Sequence, residues 1–469
     1  MNKAENLPRS LAALAIALRE RRLSPREVVG ALLERIEAAD KEFNTFITVR
    51  PEKAIEEATL AEKEIVAGEY RGPLHGVAVG LKDLICTKGV RTTMGCAFFE
   101  GYVPDQSATV ALKLEQAGAI IIGKTNTHEL AYGATGDVSH FGPTRNPHSP
   151  DKISGGSSSG SGAAVAAGLC YAALGSDTAG SIRIPSALCG VVGIKPTFGR
   201  VSKRGVFPLS WTLDHVGPLT RTVKDNALLL NVLAGYDPED PFSADRPAED
   251  FARDLLDDVR SGVVGVPASF YFEHIEGDVE RRVMEAIDVF RALGTEVREV
   301  DIPHLHKTLK AQRLTLAAEA YAVHEERLKS EPEKFDDEIR QHILDGEHLK
   351  AHRYATAQQT KRHSLEEFER VLKRVDVLLT PTVPIAATEI GQRETDIRGY
   401  KEFIDLALTR LTGPTNLNGL PSLSVPCGFA GQGLPVGLQL IGRPLDEATI
   451  YRYAHAYEMA ASPEPEGMS

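Results

Sequence analysis

Positive charge is in short supply. The 53 Lys and Arg residues stand against 65 Asp and Glu, a net charge of -12. No basic field offsets phosphate repulsion, so the composition speaks against nucleic acid and anionic membranes as partners. Cysteine is also scarce. Cys86, Cys96, Cys170, Cys189 and Cys427 are scattered with no Cys-x-x-Cys spacing, and they read as reduced, buried thiols of a cytoplasmic protein. No apolar run approaches the roughly 20 residues that a membrane span needs. The early run Leu11 to Leu18 follows Lys3 and Arg9, but Arg19-Glu20-Arg21-Arg22 stands where a signal peptide would have its cleavage site. The closest histidine pair, His348 and His352, lacks a third ligand and reads as solvated helix surface. No metal and no cofactor are expected, and no internal repeat is present.

What is there centres on one stretch. Ser154-Gly155-Gly156-Ser157-Ser158-Ser159-Gly160-Ser161-Gly162 passes directly into Ala163-Ala164-Val165-Ala166-Ala167, and Gly175-Ser176-Asp177-Thr178-Ala179-Gly180-Ser181 follows. A Gly/Ser run is ordinarily a flexible linker. This one leads into a core-like, helix-forming segment, which argues for a rigid loop that presents serines. Thr178-Ala179-Gly180-Ser181 supplies backbone N–H groups with little side-chain bulk, as an oxyanion requires.

The rest of the chain alternates strands and helices. Helices are expected over 7–21, 24–39 and 52–67, the second opened by Ser24-Pro25-Arg26-Glu27 with Val28, Val29, Leu32, Leu33 and Ile36 facing the core. The strand from Val77, the helix 107–117 and Ala119-Ile120-Ile121-Ile122 form a βαβ unit. A second βαβ-like unit spans Val263 to Val300 around a helix with Val279, Val283, Ala286, Phe290 and Leu293 at helical spacing. Residues 213–219 read as a loop, the Asp/Pro-rich 236–250 as a surface excursion, and 306–374 as a charged helical cap. Strands return at 375–379, 423–426 and 436–441, and disorder is expected after Ala461.

Lys82 lies inside the apolar run Val77-Ala78-Val79-Gly80-Leu81-Lys82. A lone lysine there is ordinarily snorkelling or paired, here with Asp83. Burial has another effect: lowering an amine from ~10.4 to ~7.5 costs about 4 kcal/mol and makes it a base. Three local patterns compete for the serine chemistry. Gly156-Ser157-Ser158-Ser159-Gly160 fits a nucleophile elbow at Ser158, but no buried strand precedes it. Ser149-Pro150-Asp151-Lys152 fits S-x-x-K by chance. Gly118 to Thr125 fits a phosphate loop, but its four central residues are strand-like.

Lys82, Gly155-Gly156-Ser157-Ser158 and Asp177 to Pro185 together resemble the amidase signature family of hydrolases, and the likeness runs on to Asn416-Leu417-Asn418-Gly419-Leu420-Pro421 and Pro435 to Gln439. The resemblance implies a Ser-Ser-Lys triad: Ser181 the nucleophile, Ser157 a bridging serine on a cis peptide bond, and Lys82 the terminal base. It also implies that the N–H groups of Thr178, Ala179, Gly180 and Ser181 form an oxyanion hole. Ser158, Asp177 and Arg183 would support the loops, and Ala131 and Tyr132 would lie against the acyl group. The implied fold class is α/β: one α/β/α domain over 1–469 with a large twisted mixed sheet. Its parts are a helical N-terminal region 1–67, a core 70–235, a helical cap at 305–374 and a core return 375–460.

Within the family, the expected activity is hydrolysis of neutral carboxamides, aryl amides, anilides, esters or carbamates through an acyl-enzyme. A pocket lined by Tyr132, Phe207 and Trp211 would suit them. The alternatives are a carbamate or urethane hydrolase and the glutamine-hydrolysing A subunit of a tRNA-dependent amidotransferase. Proteins of the latter kind grip glutamine with an Arg and an Asp, and the corresponding stretches here read Arg340-Gln341-His342-Ile343 and Thr409 to Pro414. The charged clamp is therefore expected to be absent. The expected partners are a small-molecule substrate, no nucleic acid and no membrane, with a homodimer as the assembly considered.

Overall fold

The computed structural model describes residues 7–461. The tail expected to be disordered lies outside them. The chain opens with α1 (Leu11–Arg19), α2 (Pro25–Phe43), β1 (Phe46–Val49) and α3 (Pro51–Ala67). Ser24 caps α2 by accepting from the N–H groups of Arg26 and Glu27, and Pro25 occupies the first turn. Val28, Val29, Leu32 and Ile36 are buried, while Leu33 is half-buried. α1 is shorter than the expected 7–21, and a distant carboxylate also holds its start. Leu11 N–H donates to Asp225 Oδ2 at 2.9 Å and Ala12 N–H to Oδ1 at 2.8 Å.

β2 (Ala78–Lys82), α4 (Thr109–Gln116) and β3 (Ile120–Thr125) make the first parallel βαβ unit. β3 is buried along its length, so Gly123-Lys124-Thr125 are strand residues. Lys124 Nζ is engaged with the Ile85 carbonyl and Thr92 Oγ1, each at 2.7 Å, and no free loop remains for a phosphate.

A small ribbon of β4 (Arg145–Asn146) and β5 (Ser149–Ile153) precedes the Gly/Ser stretch. α5 (Ser159–Ala166), β6 (Ala172–Asp177), α6 (Arg183–Cys189), β7 (Val192–Lys195), β8 (His215–Thr220) and α7 (Val223–Leu233) follow. Residues 157–165 are all buried, because the helix packs backbone to backbone. A Cβ on Gly160 would stand 2.3 Å from the Thr45 carbonyl oxygen. The expected loop at 213–219 is corrected: most of it belongs to β8, an interior strand between β6 and β7. Pro218, which removes a ladder donor, disguises it.

The second half holds β9 (Val263–Pro267), α8 (Gly277–Ala292), β10 (Glu296–Val300), α9 (Leu305–Ser330), α10 (Asp337–Leu344), α11 (Ala351–Leu372) and β11 (Val377–Pro381). Then come the hairpin β12 (Glu394–Ile397) and β13 (Tyr400–Phe403), α12 (Ile404–Arg410), α13 (Gly413–Asn418), β14 (Ser422–Phe429), β15 (Pro435–Ile441) and α14 (Glu447–Ala461).

Eleven strands form one mixed sheet in the order β1-β3-β2-β6-β8-β7-β14-β15-β11-β9-β10, flanked by helices. β2 and β6 are parallel neighbours, so their C-terminal ends bring Lys82 beside Ser176 and Asp177. Open parallel strands commonly place ligands at such carboxyl ends. Among the described residues, no helix is long and apolar enough to cross a membrane.

The Asp225 contact gives a direct test. Asp225→Ala removes the acceptor shared by two α1 N–H groups and should lower stability by about 1–2 kcal/mol. An unchanged denaturation midpoint would show that the contact carries no weight.

Candidate active site

Lys82 ends β2 with its side chain fully buried. Its Nζ donates to Ser157 Oγ at 2.7 Å and to Ser176 Oγ at 2.9 Å. Burial brings the amine down to about 7, and the negative charges of Asp177 and Asp214 limit the fall. A large fraction of Lys82 is thus uncharged near neutral pH and able to take a proton. Ser157 follows a cis Gly156–Ser157 peptide bond. Its carbonyl accepts from Thr127 Oγ1 at 3.0 Å and His128 N–H at 3.1 Å, which fixes the serine over the lysine.

Ser158 is not presented as an elbow nucleophile. Its hydroxyl donates to the Ser176 carbonyl at 3.1 Å and accepts from Ser176 N–H at 3.3 Å, locking α5 to β6. Its N–H donates to the Ser181 carbonyl at 3.2 Å, which ties the two serine loops together. Lys152, of the S-x-x-K match, is half-buried on β5 and pairs with Glu389 at 2.5 Å.

The turn from Asp177 to Arg183 is held from its centre. Both Asp177 oxygens meet Arg183, with Nε and Nη2 each at 3.0 Å. Gly180 N–H donates to Asp177 Oδ1 at 2.7 Å and Ile182 N–H to Oδ2 at 3.2 Å. Gly180 N–H is therefore committed to a carboxylate. Arg183 also donates to Thr415 Oγ1, Gln439 Oε1 and Asn416 Oδ1, each at 2.7 Å. Burial would raise the Asp177 carboxyl, but Arg183, Lys195 and Asn416 overcome this and hold it well below the usual range. Gly180 has φ +136°, and a Cβ there would stand 2.3 Å from Thr412 Oγ1. Only glycine fits that position.

Ser181 faces a cavity of about 570 Å³ whose wall includes Ala131, Tyr132, Thr178 and Ala179. Leu130 and Ala131 adopt φ of +53° and +61°, left-handed conformations maintained by the surrounding loop contacts. Of the three expected aromatics, Tyr132 lines this cavity and Phe207 and Trp211 do not. Phe207 and Trp211 line an adjoining cavity of about 230 Å³ that shares Ala131 and Leu209 with it, and Phe207 packs on Phe99 with centroids 5.1 Å apart. The main cavity carries charge instead, from Arg313, Glu338, Asp345, Arg393 and Asp405. His342 and Thr409, from the two stretches that correspond to a clamp, also lie in its wall.

Several supports escape sequence reasoning. Ser176 is the second partner of Lys82, Asp214 accepts from Thr178 Oγ1 at 2.6 Å, and Thr412 Oγ1 donates to the Ala179 carbonyl at 2.5 Å. Asn416 and Gln439 lie in the closing segments that carry the family resemblance, yet nothing local marks them as partners of Arg183. Among the described residues, no group of three or more metal-ligating side chains is present.

A family model described as Amidase matches residues 27–451. The chain belongs to the amidase family. It is an amidohydrolase, and its fold matches solved structures of that kind. A chain from a vestigial protein complex, studied for the origins of an s-triazine catabolic enzyme, superposes with TM-score 0.92 at 32% identity, covering 96% of this chain and 98% of that one. The A subunit of the glutamyl-tRNA(Gln) amidotransferase of Thermotoga maritima superposes with TM-score 0.79 at 36% identity, covering 94% and 93%. The A subunit of the same enzyme from Geobacter metallireducens is 41% identical over 470 residues, which is 95% of this chain and 96% of the relative. Relatives from further bacteria carry the same name at 39–40% identity.

These relatives correct two expectations. Hydrolysis of neutral aryl amides, esters or carbamates by a free-standing enzyme gives way to the amidotransferase alternative. His342 and Thr409 stand at the two clamp stretches in place of an Arg and an Asp, and the charge of the cavity comes from Arg313, Glu338, Asp345, Arg393 and Asp405. The expected partners, with no nucleic acid and a homodimer as the assembly considered, are corrected by the same name, which describes one subunit of an enzyme acting on glutamyl-tRNA(Gln). The net charge of one component does not report on what an assembly binds.

Arg183→Met leaves Asp177 buried and uncompensated and should cost about 3–5 kcal/mol of stability. Adding Asp177→Asn should recover part of that loss. A single variant as stable as the parent would show that the pair does not hold the turn.

Proposed function

We propose that this chain is the glutamine-hydrolysing A subunit of a tRNA-dependent amidotransferase. The observation that carries the proposal is the identity of about 40% to relatives of that name across 95% of the chain. In this reading uncharged Lys82 draws a proton from Ser157, which takes one from Ser181, and Ser181 Oγ attacks the side-chain carbonyl carbon of glutamine. The developing oxyanion meets the N–H groups of Thr178, Ala179 and Ser181, since that of Gly180 is held by Asp177. The same relay returns the proton to the amide nitrogen, and ammonia departs from an acyl-enzyme ester on Ser181. Water then attacks the ester, gives up a proton to the relay, and glutamate leaves. Ala131 and Tyr132 border the acyl chain, while Ser158, Asp177 and Arg183 position the loops.

One α/β/α domain over 1–469, capped by the helical segment 305–374, supplies all of these groups. Five free cysteines and a tRNA-dependent reaction fit a cytoplasmic protein.

Ammonia release from L-glutamine, measured for the chain alone and with the other amidotransferase components, decides the matter. Turnover of aryl amides with none of glutamine in either setting would sink the proposal. Ser181→Ala and Lys82→Ala should each lower kcat by about 10²-fold or more. The sign of the pH dependence follows from Lys82. Protonated below about 7, the amine cannot accept, so kcat/KM should rise with pH through that value and then level off. A flat profile between pH 5.5 and 8.5 would remove Lys82 as the base.

A further inference from the structure

Glutamine differs from a neutral amide in its α-carboxylate and α-ammonium, and a cavity selective for it must meet both charges. His342 and Thr409 stand in the wall at the stretches that correspond to an Arg and an Asp in a glutamine clamp. Two other side chains of that wall carry the required charges.

Arg313, on α9, donates from Nη2 to the Leu406 carbonyl at 3.0 Å, and its Nε is buried without a hydrogen-bond partner. Among the described residues, no carboxylate lies within 4.0 Å of its guanidinium. Arg393, the other arginine of the cavity, is already satisfied, with Asp137 and Glu338 each at 2.8 Å. Arg313 is thus the cation of this wall with unused capacity for an anion.

Asp405, on α12, accepts the Ala134 N–H on Oδ1 at 2.5 Å, which fixes its carboxylate against the loop that carries Ala131 and Tyr132. Among the described residues, its Oδ2 has no hydrogen-bond partner. Asp405 and Glu402 lie near enough to favour the charge on Arg313, yet neither forms an ion pair with it. An α-amino acid, with its two charges on one carbon, can fill such a gap between a cation and an anion.

We infer that Arg313 and Asp405 grip the α-carboxylate and α-ammonium of the amino-acid amide, a clamp rebuilt from α9 and α12. The inference rests on the glutaminase reading of the Ser181 site. Charge-assisted hydrogen bonds of this kind are the strong ones and are lost one partner at a time.

The test measures kcat/KM for L-glutamine, for glutaramate, which lacks the ammonium, and for 4-aminobutanamide, which lacks the carboxylate. Arg313→Gln should lower kcat/KM about tenfold or more for glutamine and glutaramate and leave 4-aminobutanamide unchanged. Asp405→Asn should do so for glutamine and 4-aminobutanamide and spare glutaramate. Arg313→Lys, which keeps the charge, should recover most of the loss. Labelling of Ser181 by a fluorophosphonate, with a thermal melt, confirms that each variant is folded and its serine reactive. Equal losses on all three substrates, or on none, would overturn the clamp while the glutaminase reading stood. A parent enzyme that hydrolyses other amides but not glutamine would overturn that reading, and the clamp with it.

Discussion

The buried pair between Asp177 and Arg183 is the constraint on which the site depends. Two charges taken out of water are costly, and their attraction offsets the cost only when geometry is good and the remaining donors are satisfied. Both conditions hold here. The two side chains meet through two parallel contacts of 3.0 Å, and Arg183 uses its other N–H groups on α13 and β15. One ion pair therefore fastens the end of β6, the start of α6 and two elements from the far end of the chain. The turn carrying Ser181 has little freedom left.

The aspartate of that pair also acts on the lysine next to it. Burial drives Lys82 toward the uncharged form, whereas Asp177 and Asp214 pull it back toward the ammonium. Burial outweighs both carboxylates, and the amine titrates at about 7. Asp177 thus holds the turn and at the same time sets how far the amine can fall.

Much of this is legible in the sequence. Lys82 stands out because an amine at the end of the apolar run from Val77 contradicts the strand that carries it, and the Gly/Ser stretch because Ala163 to Ala167 follows it. The two βαβ units show through their apolar spacing. β8 does not, because Gly217 and Pro218 carry the chemistry of a turn while tertiary pairing on both sides makes them strand. β1, only four residues between two helices, gives too short a pattern to register. The charges of the cavity are invisible for another reason. Arg313, Glu338, Asp345, Arg393 and Asp405 sit in charged, amphipathic or looping segments where each reads as solvated surface, and only the fold gathers them.

That gathering divides the molecule into two inheritances. Lys82, Ser157, Ser176 and Ser181 belong to strands and loops of the first half and are buried, and a Cβ added at the neighbouring Gly156, Gly160 or Gly180 would collide with packed atoms. The charged wall belongs to α9, α10, α12 and their connections, and α9 and α10 carry solvent-exposed residues on their other side. The two halves can therefore drift at different speeds. A descendant could exchange the wall for one suited to another acyl group and keep its reaction intact, so kinship in such a lineage records the chemistry long after the diet has changed.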